Sequence, residues 1–373
     1  MNESNGFKYF YDNISSKALT VFVLILWSFW GCYAIYSATE RNMLSIYAPR
    51  HLMWTTLSAI MFYFIVTKIS YKFLQTHWLK LFIAALLFLF GVLFLGSQIN
   101  GMRGWYHLSI CYIQPSELIK PIFILSLSRV AAIYKEDSKR ILYLSIITGI
   151  FCSLIFLQPD FGTMLVLILS AGIVFYLSNF PYVYYLILKI ICILVAVFIY
   201  LKFPHVQDRV NGFFNREAHK LDSSWQMGQC KISIASGGLQ GKGLGNANWS
   251  NNFLPYPYSD SAYASFSEAL GLMGTGIAMG CFLILFYFSY NAALKVKDIE
   301  RKIFILSASS LILIQAFIHA SVNLGLFPTT GITLPIFSYG GSSLLSTYIM
   351  IAFMYIASDE KNEVNKIKET INE

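Results

Sequence analysis

Long apolar runs separated by short polar ones occupy almost the whole chain. Ten runs, near 18–38, 51–69, 79–96, 114–134, 141–157, 161–178, 182–201, 263–290, 302–326 and 339–357, are long enough to cross a hydrocarbon core, which takes about 20 residues at the helical rise. Spanning backbone must satisfy its own hydrogen bonds, and these runs are continuous rather than alternating, so they predict helices and not barrel strands. One interval breaks the rhythm. From 202 to 262, between the seventh and eighth spans, the chain is polar and rich in glycine. The pattern therefore predicts an all-α integral membrane protein forming a single polytopic domain over 1–373. It has about ten transmembrane helices, a long extracytoplasmic loop at 202–262 and a short charged tail at 358–373.

The basic residues set the orientation, because Lys and Arg near span ends are retained in the cytoplasm. One set of ends carries Lys8, Lys17, Lys68, Lys72, Lys80, Lys135, Lys139, Arg140, Lys295, Lys297, Arg301, Lys302, Lys361, Lys366 and Lys368, whereas the opposite short loops carry Arg41, Arg50 and Arg103. Both termini are thus expected inside and the long loop outside. Composition agrees: 56% of residues are hydrophobic and 12% charged, with a mean hydropathy of +0.58, against about 25% charged in soluble domains. The net charge of +8 follows from topology and gives no reason to invoke nucleic acid. The polar leader through Lys17 feeds a span too long for a cleavable signal. Of six cysteines four fall inside spans and read as small apolar fillers; Cys111 and Cys230, both expected outside, could pair, but sequence does not fix their distance.

Four constellations carry candidate chemistry. In Gln114-Pro115-Ser116-Glu117-Leu118-Ile119-Lys120, Glu117 and Lys120 share a helix face and can pair inside the membrane, either as a packing device or as part of a substrate cavity. Just upstream Arg103 suits a phosphate head group, or serves as a snorkelling anchor. Trp225-Gln226-Met227-Gly228-Gln229 and the run Ser236-Gly237-Gly238-Leu239-Gln240-Gly241-Lys242-Gly243-Leu244-Gly245 form the second. Its glycines let backbone N–H groups approach an anion, with Lys242 adding charge. It matches neither a Walker loop nor a dinucleotide fingerprint.

The third runs from Leu254-Pro255-Tyr256-Pro257-Tyr258-Ser259-Asp260 into Ser267-Glu268. Its prolines are expected to keep the chain extended as it descends to the next span. Asp260 would sit at the lipid boundary, as a helix N-cap or as a base whose pKa is raised by partial desolvation. The fourth, Asn323 to Ser343, is an uncharged outer loop of Gly, Pro and hydroxyls that either lines a cavity or simply ends a helix. His319 and Lys189 lie within spans as packing or snorkelling residues, and no spacing suggests a structural metal.

Together these segments resemble the SEDS family (shape, elongation, division and sporulation) of bacterial membrane glycosyltransferases. The likeness rests on Gln114-Pro115-Ser116-Glu117 with Lys120, Leu157-Gln158-Pro159-Asp160-Phe161-Gly162-Thr163, the Ser236 to Gly245 run and Ser338-Tyr339-Gly340-Gly341-Ser342. Val322 to Thr329 followed by Gly331-Ile332-Thr333-Leu334-Pro335 looks like the cell-division branch rather than the elongation branch.

The resemblance implies polymerisation of lipid II into glycan strands on the outer face of the bacterial cytoplasmic (inner) membrane at the septum. It also implies partnership with a class B penicillin-binding protein transpeptidase and other divisome proteins. Asp260 matches the family's essential acid, with a divalent cation, Mg or Mn, as an optional companion. Arg103 and Lys242 are candidates for the departing pyrophosphate, and Glu117 and Lys120 match an intramembrane pair. Gln114, Ser116, Gln226, Ser236 and Ser338 are further substrate-binding candidates. A lipid II flippase and an elongation polymerase are the alternatives. The chain departs from the pattern at Tyr256, Tyr258 and Thr330, which puts in question how the loop around Asp260 is held.

Overall fold

The computed structural model describes residues 16–39, 46–99, 101–109, 111–214, 223–243 and 245–359. Lys8, Arg41, Arg216, Lys220, Lys361, Lys366 and Lys368, and with them most of the expected tail, lie outside the described residues. Helices dominate, in the order α1 (Ser16–Thr39), α2 (Tyr47–Lys68), α3 (Tyr71–Leu95), α4 (Pro115–Leu118), α5 (Lys120–Ile133), α6 (Asp137–Phe156), α7 (Phe161–Leu177), α8 (Tyr182–Lys202), α9 (Pro204–Phe214), α10 (Ser223–Gly237), α11 (Asn248–Asn252), α12 (Ala262–Lys295), α13 (Ile299–Asn323) and α14 (Gly341–Ala357).

By length and composition α1, α3, α6, α8, α12 and α13 are apolar enough to cross a membrane, and α7 and α14 are shorter apolar helices. The second expected span, α2, is more polar because His51, Thr55 and Ser58 are buried in the bundle. The fourth is broken into α4 and α5 at Ile119, just before Pro121, a residue that cannot donate to a preceding turn. Hydroxyls inside spans turn back on their own helices: Ser126, Ser128 and Ser170 each donate to the carbonyl four residues earlier. They therefore cost little in lipid.

Two segments expected outside differ from their reading as loops. Residues 97–113, read as plain loop, form a three-stranded antiparallel meander of β1 (Ser97–Ile99), β2 (Met102–Leu108) and β3 (Cys111–Ile113). Gln98 pairs with Arg103, and Tyr106 with Ile113. Gly101, at φ 81°, makes the first turn. Tyr106 ties the sheet down by stacking on Phe88 and donating to the Phe88 carbonyl at 3.0 Å. The 202–262 segment is likewise folded, into α9, α10 and α11. Pro204 opens α9 at a position where its missing N–H costs nothing. All six cysteines are free, so Cys111 and Cys230 do not pair, and Cys230 is buried within α10.

The glycine run closes against a break in α12. Gly271, at φ 68°, interrupts that helix. The run supplies the missing partners: Lys242 N and Gly243 N donate to the Glu268 and Ala269 carbonyls, both at 2.9 Å. In return Leu272 N and Met273 N donate to Gly238 O and Leu239 O at 2.9 and 3.1 Å. The N–H groups of Lys242 and Gly243, expected to face an anion, are thus committed to protein carbonyls. A Cβ on Gly241 would stand 2.3 Å from Ala269 O, and one on Gly237 2.1 Å from Ser267 O.

This interlock separates two glycines of similar conformation, since Gly243 (φ 84°) has no atom closer than 3.9 Å to an added Cβ. Gly243→Ala should lower stability by about 1 kcal/mol, the ordinary penalty of that backbone region. Gly241→Ala should lower it by at least about 2 kcal/mol more, because backbone must also move. Thermal unfolding of both variants in one detergent tests this, and equal midpoints would refute the interlock.

Candidate functional site

Above the ends of α9, α12 and α13 lies a cavity of about 380 Å³ lined by His205, Asp208, Arg209, Gln226, Asp260 and His319, with Val322 and the 329–332 backbone. Asp260 reaches it on a tight turn and not on the expected extended strand. Tyr256, between two prolines, adopts φ 49° and lets its carbonyl accept from both Ser259 N and Ser261 N, at 3.1 and 3.2 Å. The next three carbonyls are held by three different donors. Tyr258 O accepts from Tyr339 N at 2.6 Å, Ser259 O from Ser338 Oγ at 2.8 Å, and Asp260 O from Asn323 Nδ2 at 3.0 Å. Asn323 Oδ1 also accepts from Ala264 N at 3.2 Å, binding the first turn of α12 to the end of α13. Ser261 occupies the cap position of α12 and its side chain makes no cap bond. The Asp260 carboxyl lines the cavity.

Burial pushes the Asp260 carboxyl above the ordinary carboxylate range, and the Arg209 guanidinium and the Ser259 side chain partly offset that. Arg209 Nη1 donates to Thr329 O at 3.4 Å, which aims the α9 arginine across the cavity mouth. Burial and the Arg209 charge keep His205 below the usual imidazole range, with Asp208 pulling the other way. His319 lacks no partner: its Nδ1 bonds the Ile332 carbonyl at 2.7 Å while Nε2 accepts from Tyr263 N at 3.4 Å. Donating through Nδ1 and accepting through Nε2 describes a neutral ring.

The cavity thus joins a carboxyl able to take a proton with a fixed cation able to meet an anion. Its donor set does not fit a resident metal. Asp208 and Asp260 share the space with Arg209, and among the described residues no group of three or more His, Cys, Asp or Glu side chains could hold an ion.

The other sequence candidates fall into separate places. Gln226 lines the cavity and donates to Ser261 Oγ at 3.3 Å. Ser338 acts behind it, taking Leu334 N at 2.8 Å while holding Ser259 O. Gln114 and Ser116 both donate to Asp160 Oδ2 at 3.2 Å, and Asp160 Oδ1 caps α7 at Thr163 N. Glu117 and Lys120 are buried and paired at 2.7 Å, with Lys120 also on Gln315 Oε1 at 3.0 Å. Arg103 is exposed on β2 and donates to Leu93 O at 3.3 Å. Ser236 bonds Ser233 O, and Lys242 is exposed beside the Gly271 break. Neither Arg103 nor Lys242 lines the cavity of Asp260.

Arg209 is the functional candidate that sequence reading missed. It lies four residues after His205 on α9, a spacing that shares a helix face, and Pro204 marks the helix start. Reading 202–262 as loop concealed that periodicity.

Comparisons with known proteins agree with this architecture. Residues 17–363 match the sequence model of the family FTSW_RODA_SPOVE, described as cell cycle protein. The probable peptidoglycan glycosyltransferase FtsW of Alcanivorax borkumensis is 31% identical over 329 residues, covering 85% of each chain. The stage V sporulation protein E of Bacillus subtilis is 29% identical over 342 residues, covering 89% of this chain and 91% of its own. A chain in a structure described as a peptidoglycan synthase complex that coordinates polymerization and crosslinking aligns with a TM-score of 0.79 at 23% identity, over 92% of this chain and 97% of that one. The rod shape determining protein RodA of Thermus thermophilus aligns at 0.68 and 23%, over 92% and 96%. At such identity these two speak for the fold.

Removing the Asn323 side chain should detach the Asp260 turn. Asn323→Ala strands Asp260 O and the buried Ala264 N, and should lower stability by about 1–3 kcal/mol. Thermal unfolding measures it, and an unchanged midpoint would show that the clamp carries no weight.

Proposed function

This chain belongs to the FTSW_RODA_SPOVE family of cell cycle proteins, and from that premise we propose that its outer cavity is where lipid II is polymerised. It is a multi-pass membrane protein and a peptidoglycan glycosyltransferase of the FtsW kind. The observation that carries the site assignment is Asp260 and Arg209 lining one cavity, at the end of α12 where the chain re-enters the apolar bundle.

In the reaction a sugar hydroxyl of the acceptor attacks the donor's anomeric carbon. A glycosidic bond forms, and the bond to undecaprenyl pyrophosphate breaks with its electron pair. Asp260, ionised, takes the hydroxyl proton as that oxygen attacks. Arg209 faces the negative charge that grows on the leaving diphosphate, and a guanidinium fixed in advance stabilises that charge most in the transition state. Gln226 lines the same space and can hydrogen-bond sugar hydroxyls, whereas His319, bonded through both ring nitrogens, contributes a fixed neutral wall.

We place this cavity outside the bacterial inner membrane, with both termini in the cytoplasm. The positive residues flanking the opposite span ends support that orientation. We assign it a septal role beside a class B penicillin-binding protein and other divisome proteins; its similarity to proteins named FtsW and to a chain of a peptidoglycan synthase complex supports that reading. A divalent ion, where one takes part, would arrive with the diphosphate and not from a site in the protein.

Purified protein given labelled lipid II, with and without a candidate transpeptidase, should make glycan polymer. Asp260→Asn should make none while keeping its fold, and polymer from that variant would sink the assignment. The pH profile adds a second check. Because burial raises the Asp260 pKa above 3.8, the ionised form is lost early as pH falls, and the acid limb should lie above the ordinary carboxylate range. Arg209→Gln removes the charge that opposes this shift, so the limb should move further toward neutral pH. A limb that stays put would exclude Arg209 as the neighbour of the base.

A further inference from the structure

Three tyrosines from three elements meet beside the Asp260 loop. Tyr47 is the first residue of α2, Tyr258 stands two residues before Asp260, and Tyr339 lies just ahead of α14. Tyr47 and Tyr258 are stacked, with ring centroids 4.2 Å apart and planes 16° from parallel. Tyr339 meets both edge-on, at 4.8 Å from Tyr47 and 6.1 Å from Tyr258. The Tyr47 and Tyr258 side chains are hydrogen-bonded, and Arg50 of α2 bonds Tyr339.

The frame behind the rings is rigid. A Cβ on Gly341 would stand 2.3 Å from the Trp54 ring, so the start of α14 is pressed onto α2 by a contact only glycine admits. Tyr339 is joined to the Asp260 loop through its own N–H on Tyr258 O at 2.6 Å. The loop is therefore attached to α2 through side chains, chiefly the stacked Tyr47 and Tyr258 rings, whereas α13 and the 338–339 segment hold it by its backbone.

We propose that Tyr47, Tyr258 and Tyr339 act as one positioning unit that sets the Asp260 carboxyl against the acceptor hydroxyl. The inference rests on Asp260 being the base. Its physical basis is that stacked aromatic rings give a strong orientational preference with only two side-chain torsions each to order. An error of about 1 Å in a reacting group can cost about 100-fold in rate. The three rings do not touch substrate in this role. They answer how the loop is held in a chain where Tyr256 and Tyr258 depart from the family pattern.

The test uses the full chain in lipid vesicles, with Tyr47→Leu and Tyr258→Leu beside Tyr47→Phe and Tyr258→Phe. Polymerisation of lipid II should fall about 10- to 100-fold in kcat for the leucine variants with KM unchanged, and the phenylalanine variants should stay within about threefold of wild type. Amide hydrogen exchange at Ser259 and Ser261, whose N–H groups close the turn on Tyr256 O, should quicken in the leucine variants. Peptides from α12 beyond Gly271 should exchange as in wild type.

Leucine variants with unchanged kcat and unchanged exchange overturn the proposal, as does a phenylalanine variant that loses as much rate as its leucine counterpart. Exchange throughout α12 would overturn it too, by showing general loosening instead of a displaced loop. The exchange measurement needs no turnover. A wild-type protein that makes no polymer therefore counts against the proposed function, while the exchange data still decide the positioning role.

Discussion

Three successive carbonyls, those of Tyr258, Ser259 and Asp260, accept hydrogen bonds from the 339 amide, the Ser338 hydroxyl and the Asn323 amide. Everything that the Asp260 cavity can do depends on that attachment. A turn at the rim of a membrane protein has little water to satisfy it, so its backbone must find partners in the protein or move. Here the partners come from two segments distant in sequence from the turn, the end of α13 and the approach to α14. The carboxyl is consequently presented by a braced turn, with Arg209 opposite on a separate helix, and neither group depends on the other for its position. Independent placement lets a carboxyl and a guanidinium line one cavity while each is held by bonds to other parts of the chain.

The same rule of satisfied backbone explains the glycine run. Breaking α12 at Gly271 frees carbonyls and amides in a largely apolar setting, and the 238–243 backbone takes them up through four hydrogen bonds. Only residues without Cβ can come that near, as the 2.1–2.6 Å approaches at Gly237, Gly241 and Gly271 show. On the near side of the break Glu268 accepts from Trp249 N, Ser250 N, Ser250 Oγ and Ser233 Oγ, so one buried carboxylate organises the start of α11 and the middle of α10. Close backbone approach, which in a soluble protein suggests an anion site, here repairs a helix.

How much of this was legible follows from which signals are local. Ten apolar runs could be read because hydrocarbon thickness fixes the length of such a run; each corresponds to a helix or, at 114–134, to a pair broken near Pro121, and six of these helices are long and apolar enough to cross a membrane. Asp260 was legible because an acid beside a span is conspicuous. Arg209 was not: it stood among six basic residues of a segment taken as loop, and its meaning lies in a pairing across space with Asp260 and Thr329. Lys242 drew attention for the opposite reason, since adjacent glycines gave it a false context. The meander at 97–113 escaped because three-residue strands carry almost no period, and its anchor is one tyrosine stacked on α3. Polar residues inside spans were visible, but partners such as Asp160 for Gln114 and Ser116 come from other helices.

One helix face links these parts. Gln315, His319 and Asn323 follow one another at intervals of four along α13, so their side chains lie nearly above each other. Gln315 reaches Lys120 of the buried ion pair at 3.0 Å and also donates to Thr333 O at 3.0 Å. A turn higher His319 bridges Ile332 O and Tyr263 N, and higher still Asn323 joins Asp260 O to Ala264 N. Every residue of this ladder thus fixes an element from outside α13, and the order rises from the middle of the bundle to the Asp260 turn. The Glu117–Lys120 pair is enclosed at the foot of the ladder, with Ser346 closing on the Glu117 carbonyl at 2.7 Å. A buried pair so fully bonded sets the register of α5, α13 and α14 against one another, since slipping any one of them would leave a charge or an amide unpaired in the apolar interior. The Glu117–Lys120 charges and Asp260, which the sequence presents as two separate candidates, are the two ends of one polar seam.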